Sequence, residues 1–417
     1  MNKIIKWIVF PPLTLVAGFI SFLLYETQDE INATQDNVAE KINAFYNADR
    51  MAGFAVSVFT KDRVLFSKGF GFADKEKQLP YTTKTQQYIA SISKTSIGIA
   101  LLKAQELGLL QLDDPINKHL PFEVFNPAYQ DQPITIRHLA THTSSLDYNE
   151  QVVELLYVTE QEKEHSLQVF MEDYFVNEKY QTVKYTNHAP GENWNYSNIG
   201  AGLAAYIIEY KTKKNFSQFT QEYIFEPLQL DHTGWFENDL DAVPTTKYYE
   251  PTNNTIQETT TSGVQLYPCR DMITNVEDLT AYCQAIIARS PALLQQASFE
   301  ELLSPNLSSS VSNQELDNSG VFFLIDRNKY GITYQLTGGT GGDYCINTIM
   351  LFDPHTELGY VFIGNTGHSD LNRMDHVRIY RTLVSLGEHF INNSNKTIID
   401  DLSHTWHNWS NRIIAFF

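Results

Sequence analysis

The sequence predicts an α+β fold, in which one antiparallel sheet is built from both ends of the chain and flanked by helices, with a mainly helical lobe inserted. Two observations predict it. Strand-like runs occur at 53–74 and again between 329 and 366, with β-branched and aromatic residues bounded by turns. Between them the apolar residues recur at helical spacing. A sheet assembled from both ends with helices between leaves a cleft between lobes as the default place for a site.

The elements follow in order. "VAEKINAFYNA" (38–48) has helical spacing. "GFAVSVFTKDRVLFSKGFGFAD" (53–74) reads as two strands joined at Lys61-Asp62. "SIGIALLKAQELGLL" (96–110), "ITIRHLATH" (134–142) and "SNIGAGLAAYIIEYKT" (197–212) read as helices. "TNVEDLTAYCQAII" (274–287) reads as another, with Asn275 as N-cap and Asp278 three residues on. Strand signals return in "KYGITYQLTGG" (329–339), "YCINTIMLFDP" (344–354) and "LGYVFIGNT" (358–366), and a helix follows around 371–387. There is no internal repeat and no low-complexity tract.

A chain of 417 residues is long enough for one large two-lobed domain or two domains. With 42% apolar and 19% charged residues it has an ordinary globular composition. Its formal net charge of −19 repels phosphate backbones, which excludes nucleic acid as a natural partner. Cys269, Cys283 and Cys345 are too few for a disulfide framework and lack metal-site spacing, so they read as buried thiols.

The N-terminus carries a further signal. Trp7 to Tyr25 runs without a charge, long enough as a helix to span a hydrocarbon core of ~30 Å, with Pro11-Pro12 as a kink. Lys3 and Lys6 precede it, whereas Glu26, Asp29 and Glu30 follow, which orients the body of the protein outside the cytoplasm. No small-x-small cleavage site follows, so the run reads as an uncleaved single-pass anchor in the cell envelope. The expected organisation is an anchor at 1–25, a linker at 26–34, a catalytic domain at 35–390 and a tail at 391–417.

The chemistry begins at "YIASISKTSIGIALLKAQELG" (88–108). If a helix begins at Ser91, Ser91 and Lys94 share a face. The helix N-terminus and burial both disfavour an ammonium there, so a neutral amine can accept the serine proton. Ser-x-x-Lys alone is a weak signal, and a surface lysine is the alternative. "PGENWNYSNIG" (190–200) adds Tyr196-Ser197-Asn198 in a turn just before a helix. A tyrosine hydroxyl near a lysine can relay a proton, and an asparagine amide can hold both the lysine and a substrate carbonyl. Taken alone, Tyr196 could equally be a core tyrosine. Tyr185-Thr186-Asn187 has the same pattern but no following helix, and it is set aside. "YQLTGGTGGDY" (334–344) is a strand ending in glycines, which let a substrate approach the backbone.

In this order, these elements resemble the serine β-lactamase-like superfamily, which includes class C β-lactamases, D-Ala-D-Ala carboxypeptidases, related esterases and D-aminopeptidases. "GFGFAD", "IASISKTSIGIALLKAQELGLLQLDDPINKHLP", "ITIRHLATHTSSL", "PGENWNYSNIG", "LTGGTGG" and "FIGNTG" match its landmarks over roughly 35–390. The resemblance implies a β-lactamase/transpeptidase-like fold and a serine hydrolase acting through an acyl-enzyme. It implies Ser91 as nucleophile, Lys94 as general base and Tyr196 as its partner in proton transfer. Asn198, Thr337, Gly338 and Gly339 would bind substrate, with an oxyanion hole formed by the Ser91 and Gly339 N–H groups. The implied partner is a small-molecule or peptide ester or amide; no cofactor and no metal are implied.

Two positions depart from the family's pattern. Leu336-Thr337-Gly338 stands where Lys or His usually opens the third motif. That loss removes a cation for a substrate carboxylate and favours a neutral ester or amide. Ser145 stands where the family usually has Gly. Two other readings stay open: a catalytically silent relative that binds a cell-wall peptide or partner, and a true penicillin-recognising β-lactamase or D-Ala-D-Ala carboxypeptidase. His138 and His142 lack the glutamate of a zinc helix and read as structural, and Asp113-Asp114 reads as turn chemistry. His404 and His407 read as a surface face. The tail with Trp406 and Trp409 reads as packing on the domain, or as lying on the membrane.

Overall fold

The computed structural model describes residues 32–147, 157–158, 166–177, 179–180, 183–240, 246–311, 317–327 and 335–394. The apolar run 7–25 and the histidines and tryptophans of the tail lie outside the described residues. Among the described residues no helix is long and apolar enough to cross a membrane. The chain divides into two compact units, one of residues 46–376 and one containing 1–45 and 377–417. Within the smaller unit, α1 (Val38–Phe45) has the Arg378 guanidinium 5.7 Å from the Phe45 ring, and the Ala33 amide donates to Ser385 Oγ at 3.1 Å.

The larger unit is organised on an eight-stranded sheet. Its strands are β1 (Gly53–Thr60), β2 (Arg63–Asp74), β3 (Leu79–Pro80), β4 (Asn318–Ser319), β5 (Leu324–Arg327), β6 (Gln335–Gly342), β7 (Asn347–Phe352) and β8 (Leu358–Gly364). The order is β4-β5-β6-β7-β8-β1-β2-β3, with every pairing antiparallel. The first and last parts of the unit therefore meet at β1 and β8, with Phe54 opposite Gly364 and Thr60 opposite Leu358. β7 and β8 are buried along their whole length, which is why they read as continuous apolar runs.

The helices are α2 (Lys94–Glu106), α3 (Ile136–Ala140), α4 (Ser166–Phe175), α5 (Asn198–Thr212), α6 (Phe216–Thr220), α7 (Val276–Ile287), α8 (Gln296–Leu303) and α9 (Arg373–Ser394), the last of which runs on into the smaller unit. α7 packs on β1 and β8, while α2 packs between α5 and α8. Asn275 caps α7 through the Asp278 amide at 2.9 Å, as its sequence predicts. α5 is apolar on nearly every side and is buried from Ile199 to Ile208, so it lies in the core.

Two sequence expectations are corrected. The helix does not begin at Ser91: residues Ala90–Ser93 form a 3-10 turn and α2 starts at Lys94. Residues three apart eclipse in such a turn, so Ser91 and Lys94 still meet. β6 does not end at Gly339 but runs to Gly342, because its later glycines stay paired with β7.

Three motifs set aside as structural have defined places. His138 completes a capping box with Thr135, its Nδ1 accepting from the Thr135 amide at 3.2 Å. Asp113 takes Nε and Nη2 of Arg137 at 2.6 and 2.9 Å, and Asp114 takes the Gln111 amide at 2.9 Å and Lys118 at 2.7 Å. The three cysteines are free and buried. Ser145 adopts a left-handed φ of +63°, which accounts for the residue type its sequence position normally takes, and its Oγ accepts from Asn126 at 3.3 Å.

Glu209 on α5 accepts from the Phe216 amide at 2.7 Å and from the Tyr267 hydroxyl at 3.2 Å. Burial pushes its carboxyl up from about 4.5 to about 7. The folded state then binds this proton more tightly than the unfolded state, so stability falls as pH rises from about 4.5 to about 7. The loss is at most about 3 kcal/mol. Glu209→Gln cannot titrate, and its urea-unfolding free energy should vary less across that window. An unchanged slope would contradict the burial of this charge.

Candidate active site

The segment that carries Ser91 is held in an unfavourable shape. Ala90 has φ +49°, a left-handed conformation that costs a non-glycine residue of the order of 1 kcal/mol or more. The bonds around it over-determine that shape. The Ile89 amide donates to Met272 O at 3.0 Å, Thr348 Oγ1 donates to Ile89 O at 2.8 Å, and the Met272 amide donates to Ser93 Oγ at 3.1 Å. Gln87–Tyr88 also pairs with Ile273–Thr274.

β6 presses on this turn through Gly341. A Cβ there would sit 2.4 Å from Ile89 O and 3.0 Å from the Ser91 nitrogen, so only glycine fits. β5 covers the edge of β6 only from Gln335 to Gly338, and among the described strands the edge from Gly339 to Gly342 is unpaired. That open edge begins beside the Ser91 turn.

Lys94 is the first residue of α2 and is 3% exposed. Its Nζ donates to Ser91 Oγ at 3.0 Å and to the Cys269 carbonyl at 2.7 Å. Tyr196 donates its hydroxyl to the same Ser91 Oγ at 2.7 Å, and Lys94 Nζ lies 5.0 Å from its ring centre. Two polar groups thus converge on one hydroxyl oxygen.

His142 fixes Tyr196 from behind. The Asn195 amide donates to His142 O at 2.8 Å, and the Ser197 amide donates to His142 Nδ1 at 3.1 Å. The two rings lie 4.5 Å apart between those bonds. Because Nδ1 accepts, the imidazole is neutral with its proton on Nε2. Burial pushes its pKa down to about 3, and the nearby Lys94 charge adds to this. Ser197 then caps α5, its Oγ accepting from the Gly200 amide at 3.0 Å.

Ser91, Lys94 and Tyr196 therefore come together. Asn198 opens α5, where its carbonyl accepts from Cys269 Sγ at 3.2 Å, and the second acceptor for Lys94 is the Cys269 carbonyl rather than Asn198. Thr337 and Gly338 sit opposite Ile325 and Leu324, on the covered part of β6. Gly339 faces Ile92 and Thr95, and it is Gly341 that lies against the Ser91 amide. Leu336 is 1% exposed and offers the site no cation.

Sequence reasoning missed Gly341, His142 and the Cys269 carbonyl. The run "GGTGG" held a signal for the first, since four glycines on a strand imply close approach. The carbonyl had none, since any residue carries one. Tyr185 of the discarded motif pairs with Leu146 instead, and burial pushes its hydroxyl up to about 12. No cluster of metal-ligating side chains occurs among the described residues.

This sheet with its helical insertion and its Ser–Lys–Tyr cluster defines the class of serine β-lactamase-fold proteins. A family model described as Beta-lactamase matches residues 37–383, and the chain belongs to that family. It is 24% identical over 346 residues to Protein flp of Staphylococcus aureus strain MW2, covering 80% of this chain and 64% of that protein. It is 26% identical over 285 residues to the putative penicillin-binding protein PbpX of Bacillus subtilis strain 168, covering 68% of this chain and 66% of that one. The chain thus spans about two thirds of the length of these relatives. Among solved structures, the octameric penicillin-binding protein homologue from Pyrococcus abyssi superposes with a TM-score of 0.66 at 21% identity, covering 84% of this chain and 76% of that one. The D-amino acid amidase of Ochrobactrum anthropi SV3 superposes at 0.65 and 21%, covering 86% and 100%. At such identity these two likenesses show the fold.

Gly341→Ala should force β6 away from the Ser91 turn. We expect it to lower melting temperature by several degrees, for a cost of about 1–3 kcal/mol, and to slow modification of Ser91 by an acylating agent at least tenfold. A variant with the parent's melting temperature and rate would show that the close approach is not needed.

Proposed function

We propose that the protein is a membrane-anchored serine hydrolase of the cell envelope that cleaves a neutral ester or amide through an acyl-enzyme on Ser91. The observation that carries this reading is the convergence of Lys94 Nζ and the Tyr196 hydroxyl on Ser91 Oγ, at 3.0 and 2.7 Å. In its amine form Lys94 accepts the Ser91 proton as Oγ attacks the substrate carbonyl. The C–O bond to the enzyme forms, and the carbonyl electrons move to oxygen. The Ser91 N–H and the open edge of β6 at Gly339–Gly342 would receive that oxyanion. Tyr196 passes a proton to the leaving alcohol or amine as its bond to carbon breaks. Water then attacks the acyl group, with the same two side chains moving its proton in reverse.

The substrate class follows from charge. The buried Leu336 supplies no cation, and Arg270, which follows Cys269, is engaged by Asp271 and Asp343. Neither position offers a free cation to a substrate carboxylate, which disfavours β-lactams and D-Ala-D-Ala peptides against neutral esters and amides. The D-amino acid amidase of Ochrobactrum anthropi SV3, similar in fold, has been seen in complex with L-phenylalanine amide and with D-phenylalanine, which agrees with a small amide as substrate. Anchoring rests on the uncharged run 7–25 with its flanking charges.

The test is hydrolysis of a short-chain p-nitrophenyl ester by the full chain in mild detergent. Ser91→Ala should lower kcat/KM by about 10³-fold or more, and neutral substrates should outpace carboxylate-bearing ones. Equal turnover by the two proteins, or no turnover and no acylation by any ester, amide or β-lactam, would refute the reading.

A further inference from the structure

Arg270 sits outside the Ser–Lys–Tyr cluster but follows Cys269, whose carbonyl holds Lys94. Its side chain is 13% exposed, and each of its polar nitrogens is engaged. Nε donates to Asp343 Oδ2 at 2.8 Å, and Nη2 donates to the same carboxylate oxygen. Nη1 donates to Asp271 Oδ1 at 2.9 Å and to Ser262 O at 3.1 Å, and Nη2 also donates to Thr261 Oγ1 at 2.7 Å. Asp271 is fully buried, and its other oxygen accepts from the Val264 amide at 2.6 Å. Asp343 directly follows the end of β6, two residues beyond the Gly341 that meets the Ser91 amide.

One planar guanidinium thus ties residues 261–262, the turn at 269–271 and the end of β6 together, and Asp271 adds Val264. Those are the segment that carries the acceptor for Lys94 and the strand that touches Ser91. We infer that Arg270 is a positioning residue: through Asp343 it sets the Cys269 carbonyl against the end of β6, and so holds Lys94 in line with Ser91. The inference rests on the hydrolase reading for its kinetic consequence and on geometry alone for its structural one. A lysine at 270 keeps the charge but is a point donor and cannot span both carboxylates and the loop. Asp343→Asn keeps the shape but removes the charge, and its single acceptor oxygen can serve the Arg270 fork or the Tyr344 amide, not both, which weakens the cross-link from the other side.

The test uses the full-length chain with Arg270→Lys and Asp343→Asn. Active-site titration with a p-nitrophenyl ester counts the sites that can be acylated, and stopped flow gives the acylation rate per site. We expect both variants to keep a full count of sites and KM within about twofold. We expect the acylation rate per site to fall at least tenfold, since a misplacement of about 1 Å can cost about 10²-fold. A merely structural salt bridge would lower the count of sites and leave the rate per site unchanged, which would overturn the inference. The crystal structure of Asp343→Asn supplies a readout independent of activity and keeps the test open if Arg270→Lys fails to fold. The Cys269 carbonyl should withdraw from Lys94 Nζ beyond about 3.5 Å. Retention of the parent contact would overturn the inference even if the parent proves not to be a hydrolase, and failure of the parent to acylate would refute only the hydrolase reading.

Discussion

An amine buried at 3% exposure needs acceptors to compensate the hydration it has lost. Lys94 has two: the Ser91 hydroxyl, three residues earlier, and the Cys269 carbonyl, 175 residues later. The first comes from local geometry in a 3-10 turn. The second requires the turn at Tyr267–Cys269 to be placed against the start of α2, which only the assembled unit can do. The charge chemistry of the site thus depends on a long-range backbone contact.

Much of the surrounding structure serves that contact. The left-handed Ala90 turns the chain so that Ser91 leads into α2, and Thr348, Met272 and Ser93 hold the turn in place. Gly341 lets the strand come within contact of the same turn. His142 supplies two of its own atoms to the backbone on either side of Tyr196, which aims the phenol at Ser91. Because burial keeps His142 neutral, it adds no positive charge beside the Ser91 cluster. The far end of α5 is tied to the turn at Tyr267 through Glu209, so both the tyrosine and the lysine acceptor are referenced to one helix.

What was legible in the sequence was what local pattern controls. The hairpin at 53–74, the cap at Asn275, the helix after Tyr196-Ser197 and the strand runs before and after Asp353 all express a short-range period or turn residue. That Ser91, Lys94 and Tyr196 could meet was legible because their side-chain chemistry is complementary. What was not legible depends on tertiary placement. The helix start shifted from Ser91 to Lys94 because the turn before it is held by residues 272 and 348. The strand ran past Gly339 because pairing with β7 continues through residues that have little strand propensity of their own. The Cys269 carbonyl and the aim of His142 leave no trace in residue type. His142 belonged to a pair read as structural, and the structure gives the pair two different tasks, a helix cap at His138 and a brace for Tyr196 at His142.

The central claim is that Lys94 takes the proton from Ser91. The most direct measurement is the pre-steady-state rate of Ser91 acylation, followed by intact mass with an activated ester, in the parent and in Lys94→Ala and Lys94→Arg. Both variants should stay folded by circular dichroism yet acylate at least about 10²-fold more slowly, with the arginine giving no recovery, since it cannot lose a proton in this range. Acylation of Ser91 at the parent's rate in a folded Lys94→Ala protein would contradict the account.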